Sequence, residues 1–210
     1  MTNEKKTPPI PKSPFLRVKN LSFGYDPSSL ILQDLNVVLA AGERLAIMGP
    51  SGCGKSTLLR ILGGFLKQTG GELENNFAQI AFVFQEPRLF PWMTVEENLK
   101  AVLPRSADPS LIREALELVE LSDAAPLYPE ELSGGMKSRV SLARALVYGG
   151  DLFLLDEPFS ALDRELRLSL SQKLSQWLSA RGAAAILVTH QEEDAHIFAN
   201  RLLELSPVQS

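Results

Sequence analysis

The most specific chemistry in the chain lies in Gly49, Pro50, Ser51, Gly52, Cys53, Gly54, Lys55, Ser56 and Thr57. This run fits G-x-x-x-x-G-K-[ST], the loop that cradles nucleotide phosphates when it joins a strand to a helix. The glycines let backbone N–H groups approach the phosphates, and the helix N-terminus adds partial positive charge. In that arrangement Lys55 reaches the β- and γ-phosphates, Ser56 ligates Mg²⁺ and Thr57 sits at the α-phosphate. The alternative reading, a Gly-rich turn, lacks the flanking context found here. Cys53 reads as a small permissive loop residue rather than a redox centre.

A second constellation follows Leu152–Leu155, an apolar run ending in Asp156 and Glu157. An acid at the C-terminal end of a strand beside a phosphate loop can hold Mg²⁺ through water, and the next can polarise the attacking water. Strands often end in acids, so this signal gains its force from the phosphate loop.

These residues need elements to hold them. Leu16–Val18, Ile31–Leu39, Leu45–Met48, Ile80–Phe84, Leu152–Leu155 and Ala184–Val188 read as strands. Leu58, Leu59, Ile61, Leu62 and Phe65 predict a helix from Ser56 to about Leu66, and Leu166, Leu170, Leu174 and Leu178 predict another. From Thr94 to about Tyr148 the pattern is helical throughout. Within it Asp108-Pro109 resembles a helix start, and Leu111, Ile112, Ala115, Leu116 and Val119 line one face. Strands alternating with helices imply an α/β fold with a parallel sheet, here carrying a helical insert. Residues 1–14, with Pro8, Pro9, Pro11 and Pro14 among Lys5, Lys6 and Lys12, read as a disordered tail.

Composition removes several classes. The 210 residues suffice for one large domain with its own core. The 21 basic and 25 acidic residues leave a net charge of −4, which argues against nucleic acid as the main partner. One cysteine excludes a disulfide scaffold. The start of the chain has no apolar stretch of a secretory signal, and the longest apolar run, Ala183–Val188, is far short of a membrane span. The expectation is a cytoplasmic protein whose work at a membrane would need spans from another chain.

Leu132-Ser133-Gly134-Gly135-Met136 resembles the signature motif of ATP-binding cassette (ABC) ATPases, and the resemblance extends over about residues 15–205. It implies an ABC ATPase fold: a P-loop NTPase core with a parallel sheet, an N-terminal antiparallel β region and a helical subdomain at about 87–148, all within 15–206. Tyr25 resembles the aromatic that stacks on adenine, and Gln85 the glutamine that reaches both the metal and the reacting phosphate. Ser160-Ala161-Leu162-Asp163 resembles the family's D-loop, with Asp163 near the nucleotide, and His190 its switch histidine. Ser133, Gly134 and Gly135 open a helix with free N–H groups, suited to a γ-phosphate. A lone histidine such as His190 more often has a structural role; its place after Val188-Thr189 favours the switch reading. His196 has no such context.

With one P-loop and one signature, the resemblance implies a head-to-tail homodimer enclosing two ATP sites, with Glu157 as base or water-orienting group and His190 on the γ-phosphate. The run Val83–Trp92 and the Met136 ending of the signature resemble importers of nitrate, sulfonates, taurine and pyrimidine vitamin precursors. Lys137-Ser138-Arg139 and the short Gly70–Gln79 segment depart from the usual pattern. Only one strand is expected after His190, with no regulatory domain beyond it. The implied partners are two membrane-embedded permease subunits with an extracytoplasmic solute-binding protein, placing the chain on the cytoplasmic face of the inner membrane. Phe90 and Trp92 either pack within the insert or wall a groove for a permease helix. The alternative functions are the ATPase of a lipoprotein- or division-type mechanical complex, or a soluble ABC ATPase of translation or DNA repair.

Overall fold

The computed structural model describes residues 15–26, 29–105 and 107–208. The Pro-rich segment 1–14 lies outside the described residues. Five strands, β3 (Arg44–Met48), β5 (Ile80–Val83), β6 (Leu152–Asp156), β7 (Ala184–Val188) and β8 (Arg201–Glu204), form a parallel sheet in the order β5-β6-β7-β3-β8. Three more, β1 (Phe15–Phe23), β2 (Leu32–Ala40) and β4 (Gly70–Asn75), form an antiparallel sheet in the order β2-β1-β4.

The parallel sheet is apolar because both of its faces are covered. Every residue of β6 and β7 is buried. Leu152, Leu154, Ala184, Ile186 and Val188 point to one core, shared with the antiparallel sheet and with Leu58, Leu59 and Ile61 of α1 (Lys55–Leu62). Phe153, Leu155, Ala185 and Leu187 point to the other, shared with Leu170, Leu174 and Leu178 of α5 (Arg164–Arg181). The period-two alternation of side chains along a strand produces this division.

Between β5 and β6 the chain forms α2 (Val95–Lys100), α3 (Ser110–Leu118), two 3₁₀ turns (Ser122–Ala124 and Pro129–Glu131) and α4 (Gly134–Tyr148). The helical pattern read from 94 to 148 is therefore broken twice. Each piece has its own terminator or cap: Thr94 and Glu97 form a reciprocal capping box on α2, and the Asp108 carboxylate accepts the Ser110 N–H at 2.8 Å before α3. On α3, Ile112, Ala115 and Leu116 are buried as the spacing predicts.

One boundary needs correction, and two elements are not read from the sequence. The first helix stops at Leu62, because Gly63 and Gly64 follow it and Gly64 adopts φ +76°; Phe65 lies outside the helix, edge-on to Phe82 at 5.1 Å. Strand β4, Gly-Gly-Glu-Leu-Glu-Asn, has no apolar pattern to announce it and is held by pairing with β1. One strand, β8, does follow His190, but α6 (Glu192–Phe198), which the sequence reading does not foresee, intervenes before it.

Candidate functional site

The phosphate loop joins β3 to α1, as its pattern requires. Gly49 adopts φ +146°, and a Cβ there would lie 2.2 Å from the Leu205 carbonyl oxygen, so no side chain fits. Gly54 adopts φ +97° at the start of α1, where a Cβ would meet Ile31 and Leu32 at 2.8 Å. Lys55 is buried, and its Nζ donates to the carbonyls of Gly49 and Pro50, each at 2.8 Å. The ammonium thus lies within the curl of the loop. Cys53 is buried as well, its sulfur 4.0 Å from Nζ, and it fills space beneath the loop. Thr57 is buried on α1.

Ser56 joins the two constellations. Its hydroxyl donates to Asp156 Oδ1 at 2.8 Å, across from the end of β6. Asp156 is only 1% exposed, and burial pushes its carboxyl above the usual carboxylate range, while the Ser56 hydrogen bond pulls it back. Glu157 follows in the left-handed region at φ +47°, a costly conformation for a residue with a side chain. Its N–H donates to the Val188 carbonyl at 3.0 Å, and its Oε2 lies 3.5 Å from His190 Nδ1. His190 follows Thr189, whose N–H donates to the Ile47 carbonyl at 3.3 Å. Lys55, Ser56, Asp156, Glu157 and His190 therefore gather where β3, β6 and β7 end, a place where parallel sheets commonly bind ligands.

The signature segment is built differently. Ser133 caps α4, its Oγ accepting the Met136 N–H at 3.2 Å. A Cβ on Gly134 would touch nothing within 4 Å, whereas one on Gly135 would lie 3.0 Å from the Ala161 carbonyl oxygen. Gly134 presents an open surface, and Gly135 seats the signature against Ala161-Leu162. Asp163 accepts the Leu166 N–H at 3.0 Å and caps α5.

Tyr25 is 63% exposed, its ring in a T-shaped contact with Phe23 at 5.0 Å. Gln85 is exposed just beyond β5. The loop after it is held by residues the motifs did not point to. Arg144 of α4 donates to the carbonyls of Pro87 and Arg88 at 3.0 and 2.9 Å. Fully buried Asn98 accepts the Phe90 N–H at 2.8 Å and donates to the carbonyls of Phe90, Met93 and Thr94. A buried amide bonded only to backbone has no sequence signature.

Comparison with known proteins agrees with this geometry. The ABC transporter family profile matches residues 32–160. The chain is 43% identical to an aliphatic sulfonates import ATP-binding protein, SsuB 2, of Pseudomonas syringae pv. tomato, across 82% of this chain and 75% of that protein. It is 41% identical to SsuB of Bacillus subtilis, across 82% and 71%. Among solved structures, a dimeric ATP-binding cassette in a post-hydrolysis state with ADP and Pi superimposes with a TM-score of 0.82 at 32% identity, covering 91% of this chain and 94% of the other. Motifs, sheet topology and relatives converge: the chain belongs to the ABC transporter family and is one of its ATPase cassettes.

Proposed function

We propose that this chain is the ATP-hydrolysing subunit of an importer of a small solute, with sulfonates and related small anions as the favoured class. The carrying observation is the grouping of Lys55, Ser56, Asp156, Glu157 and His190 at one edge of the parallel sheet. The names of the relatives support import over a mechanical complex.

The residues suit ATP with a divalent cation. Asp156 is a buried carboxylate met by the Ser56 hydroxyl, and with the exposed amide of Gln85 the donors are all hard oxygens of the kind Mg²⁺ prefers. When bound, Mg²⁺ would neutralise charge on the β- and γ-phosphates. The protein's own part is positional. Lys55 leaves the Gly49 and Pro50 carbonyls for the phosphates, which the N–H groups of 51–57 surround. Tyr25 stacks on the adenine. Glu157 accepts a proton from water as the water oxygen attacks the γ-phosphorus and the bond to the β-phosphate oxygen breaks, releasing ADP and phosphate. His190 contacts the γ-phosphate. Ser133, Gly134 and Asp163 belong to the opposite face, which in a head-to-tail homodimer meets the nucleotide of the second copy. The exposed surface at Gly134 supports this.

Residues 87–148 act as a subdomain that carries nucleotide state to the membrane partner. Trp92 is 69% exposed and packs at a tilt against Phe90, ring centroids 5.8 Å apart, a pair suited to anchor a short amphipathic helix of a permease subunit. No helix among the described residues is long and apolar enough to cross a membrane, which fits a peripheral subunit held at the inner membrane's cytoplasmic face by two permease chains, with a solute-binding protein outside.

Glu157→Gln tests the reading. The amide cannot take the proton, so ATP should bind while hydrolysis nearly stops, and an ATP-bound dimer should accumulate in sizing or light scattering. A monomer with normal turnover would refute both base and dimer.

A further inference from the structure

The proposed mechanism needs His190 held at a fixed distance from Glu157, yet the element that carries it is weak by itself. α6 has seven residues, and its N-cap residue, Gln191, makes no side-chain cap hydrogen bond. So short a helix takes its position from tertiary contacts. On the upstream side, Thr189 is tied to β3 through the Ile47 carbonyl. On the downstream side the first turn of α6 carries Asp194, 1% exposed, whose Oδ1 accepts from Arg167 Nη1 at 3.0 Å. Arg167 is itself buried, on the second turn of α5. Its other nitrogen lies 3.6 Å from Glu193, which Arg164 Nε also holds at 3.0 Å.

These contacts close a ring of structure. The Glu157 carbonyl accepts from both the N–H and the hydroxyl of Ser160, and α5 begins after the Asp163 cap. Arg167 is thereby joined through a short, hydrogen-bonded segment to Glu157, and through its ion pair to the helix bearing His190. The 3.5 Å approach of Glu157 to His190 closes the circuit. One cleft is lined by Glu157, Ser160, Arg167, His190 and Asp194 together.

We infer that Arg167 and Asp194 are positioning residues for hydrolysis: their buried ion pair sets where α6 holds His190 relative to Glu157. A buried ion pair is seldom a net source of stability compared with an apolar pair of similar size. What it supplies is direction, because the planar guanidinium fixes both the separation and the orientation of its partner. An apolar contact at the same place would leave α6 fixed mainly at its far end, where Ser175 and Arg44 donate to the Phe198 carbonyl, and would free the turn that follows His190. The inference rests on the ATPase reading, in which Glu157 and His190 face the γ-phosphate.

The test replaces both charges together, Arg167→Met with Asp194→Leu, so that no lone buried charge remains. ATP turnover, ATP affinity, thermal midpoint and the histidine ring NMR signals are measured on the full chain. The sequence has 2 histidines, so loss of one signal set in His190→Ala assigns the ring. The double variant should keep ATP affinity and thermal midpoint, lower kcat at least about tenfold, and shift the His190 signals, since small displacements of a reacting group carry such costs. Added to His190→Ala, it should cause no further loss of kcat. An unchanged kcat, unchanged ring signals or a full additional loss in the His190→Ala background would each overturn the proposal. If the double variant does not fold, Arg167→Lys decides. It retains the charge but not the fork, and should lower kcat with KM unchanged; parent-level kcat would overturn the proposal. A parent chain with no ATP turnover would instead refute the functional reading, which separates the two failures.

Discussion

The nucleotide edge of the parallel sheet and the loop between β5 and α2 solve opposite problems. At the nucleotide edge, side chains with chemistry are buried and backbone geometry is strained to hold them. Lys55 and Asp156 are buried, Glu157 sits at φ +47°, and Gly49 is pressed against the Leu205 carbonyl just beyond β8. In the loop, the conspicuous side chains Phe90 and Trp92 are exposed, and burial is reserved for Asn98 and half-buried Arg144, which grip backbone carbonyls. The first region is preorganised to act on a small ligand. The second keeps an exposed surface in shape, as the proposed docking of a permease helix requires. A rigid catalytic edge and a shaped but exposed loop are what a protein needs if chemistry at one place is to be read at another.

That contrast can be broken in order of expected effect. The largest is Glu157→Gln, which should lower kcat by about 10²–10⁴-fold, the range of a lost general base, with ATP affinity kept; steady-state phosphate release measures it. Next is Lys55→Ala, which removes a charge-assisted contact and should weaken ATP binding by about 1.5–3 kcal/mol in calorimetry. Equal affinity would mean the loop does not bind phosphate through this residue. Asn98→Ala strips partners from the Phe90 N–H and three carbonyls and should cost about 1–3 kcal/mol in urea unfolding, while ATP affinity is unchanged. A loss of affinity there would show that the two regions are not separate.

Asp156→Asn gives a smaller effect with a definite sign. Burial raises the Asp156 carboxyl above its unfolded value, so the folded chain binds the proton more tightly. Its contribution to stability is greatest below the unfolded value and is lost as pH rises through the folded one. In the absence of Mg²⁺ and nucleotide, Asp156→Asn should therefore raise the thermal midpoint at neutral pH, and the gain should shrink as pH falls into the carboxylate range. A gain independent of pH would contradict this origin. The smallest stability effect is Trp92→Ala, within about 0.5 kcal/mol for an exposed residue, although permease association should fall. A loss of about 3–5 kcal/mol would make Trp92 a core residue and end the docking role.

The legible parts of this molecule are those where backbone geometry dictates residue type. The phosphate loop, the Asp156-Glu157 strand end and the Ser133 cap can be read because glycine, a strand end and a helix start each demand particular residues. The positions of Lys55, Ser56, Asp156, Glu157 and His190 at one sheet edge follow from that reading together with the topology. Strand β4 could not be read, since a polar edge strand is defined by its partner. Nor could α6, whose seven residues are too few for a helical period. Asn98, Arg144 and the Arg167–Asp194 pair are visible only when distant segments meet, because a buried polar group is specified by its neighbours in space.

The contact between Gly49 and Leu205 has a consequence for how the protein is made. β3, which leads into the phosphate loop, lies between β7 and β8, both from the far end of the chain. Residues 49–183 must therefore be synthesised before either neighbour of β3 exists. At about 5–20 residues per second, the nascent loop waits on the order of ten seconds without its flanking strands. Until β7 and β8 have been made, ATP would meet a phosphate loop without its flanking strands, so the complete pocket forms late relative to the loop itself.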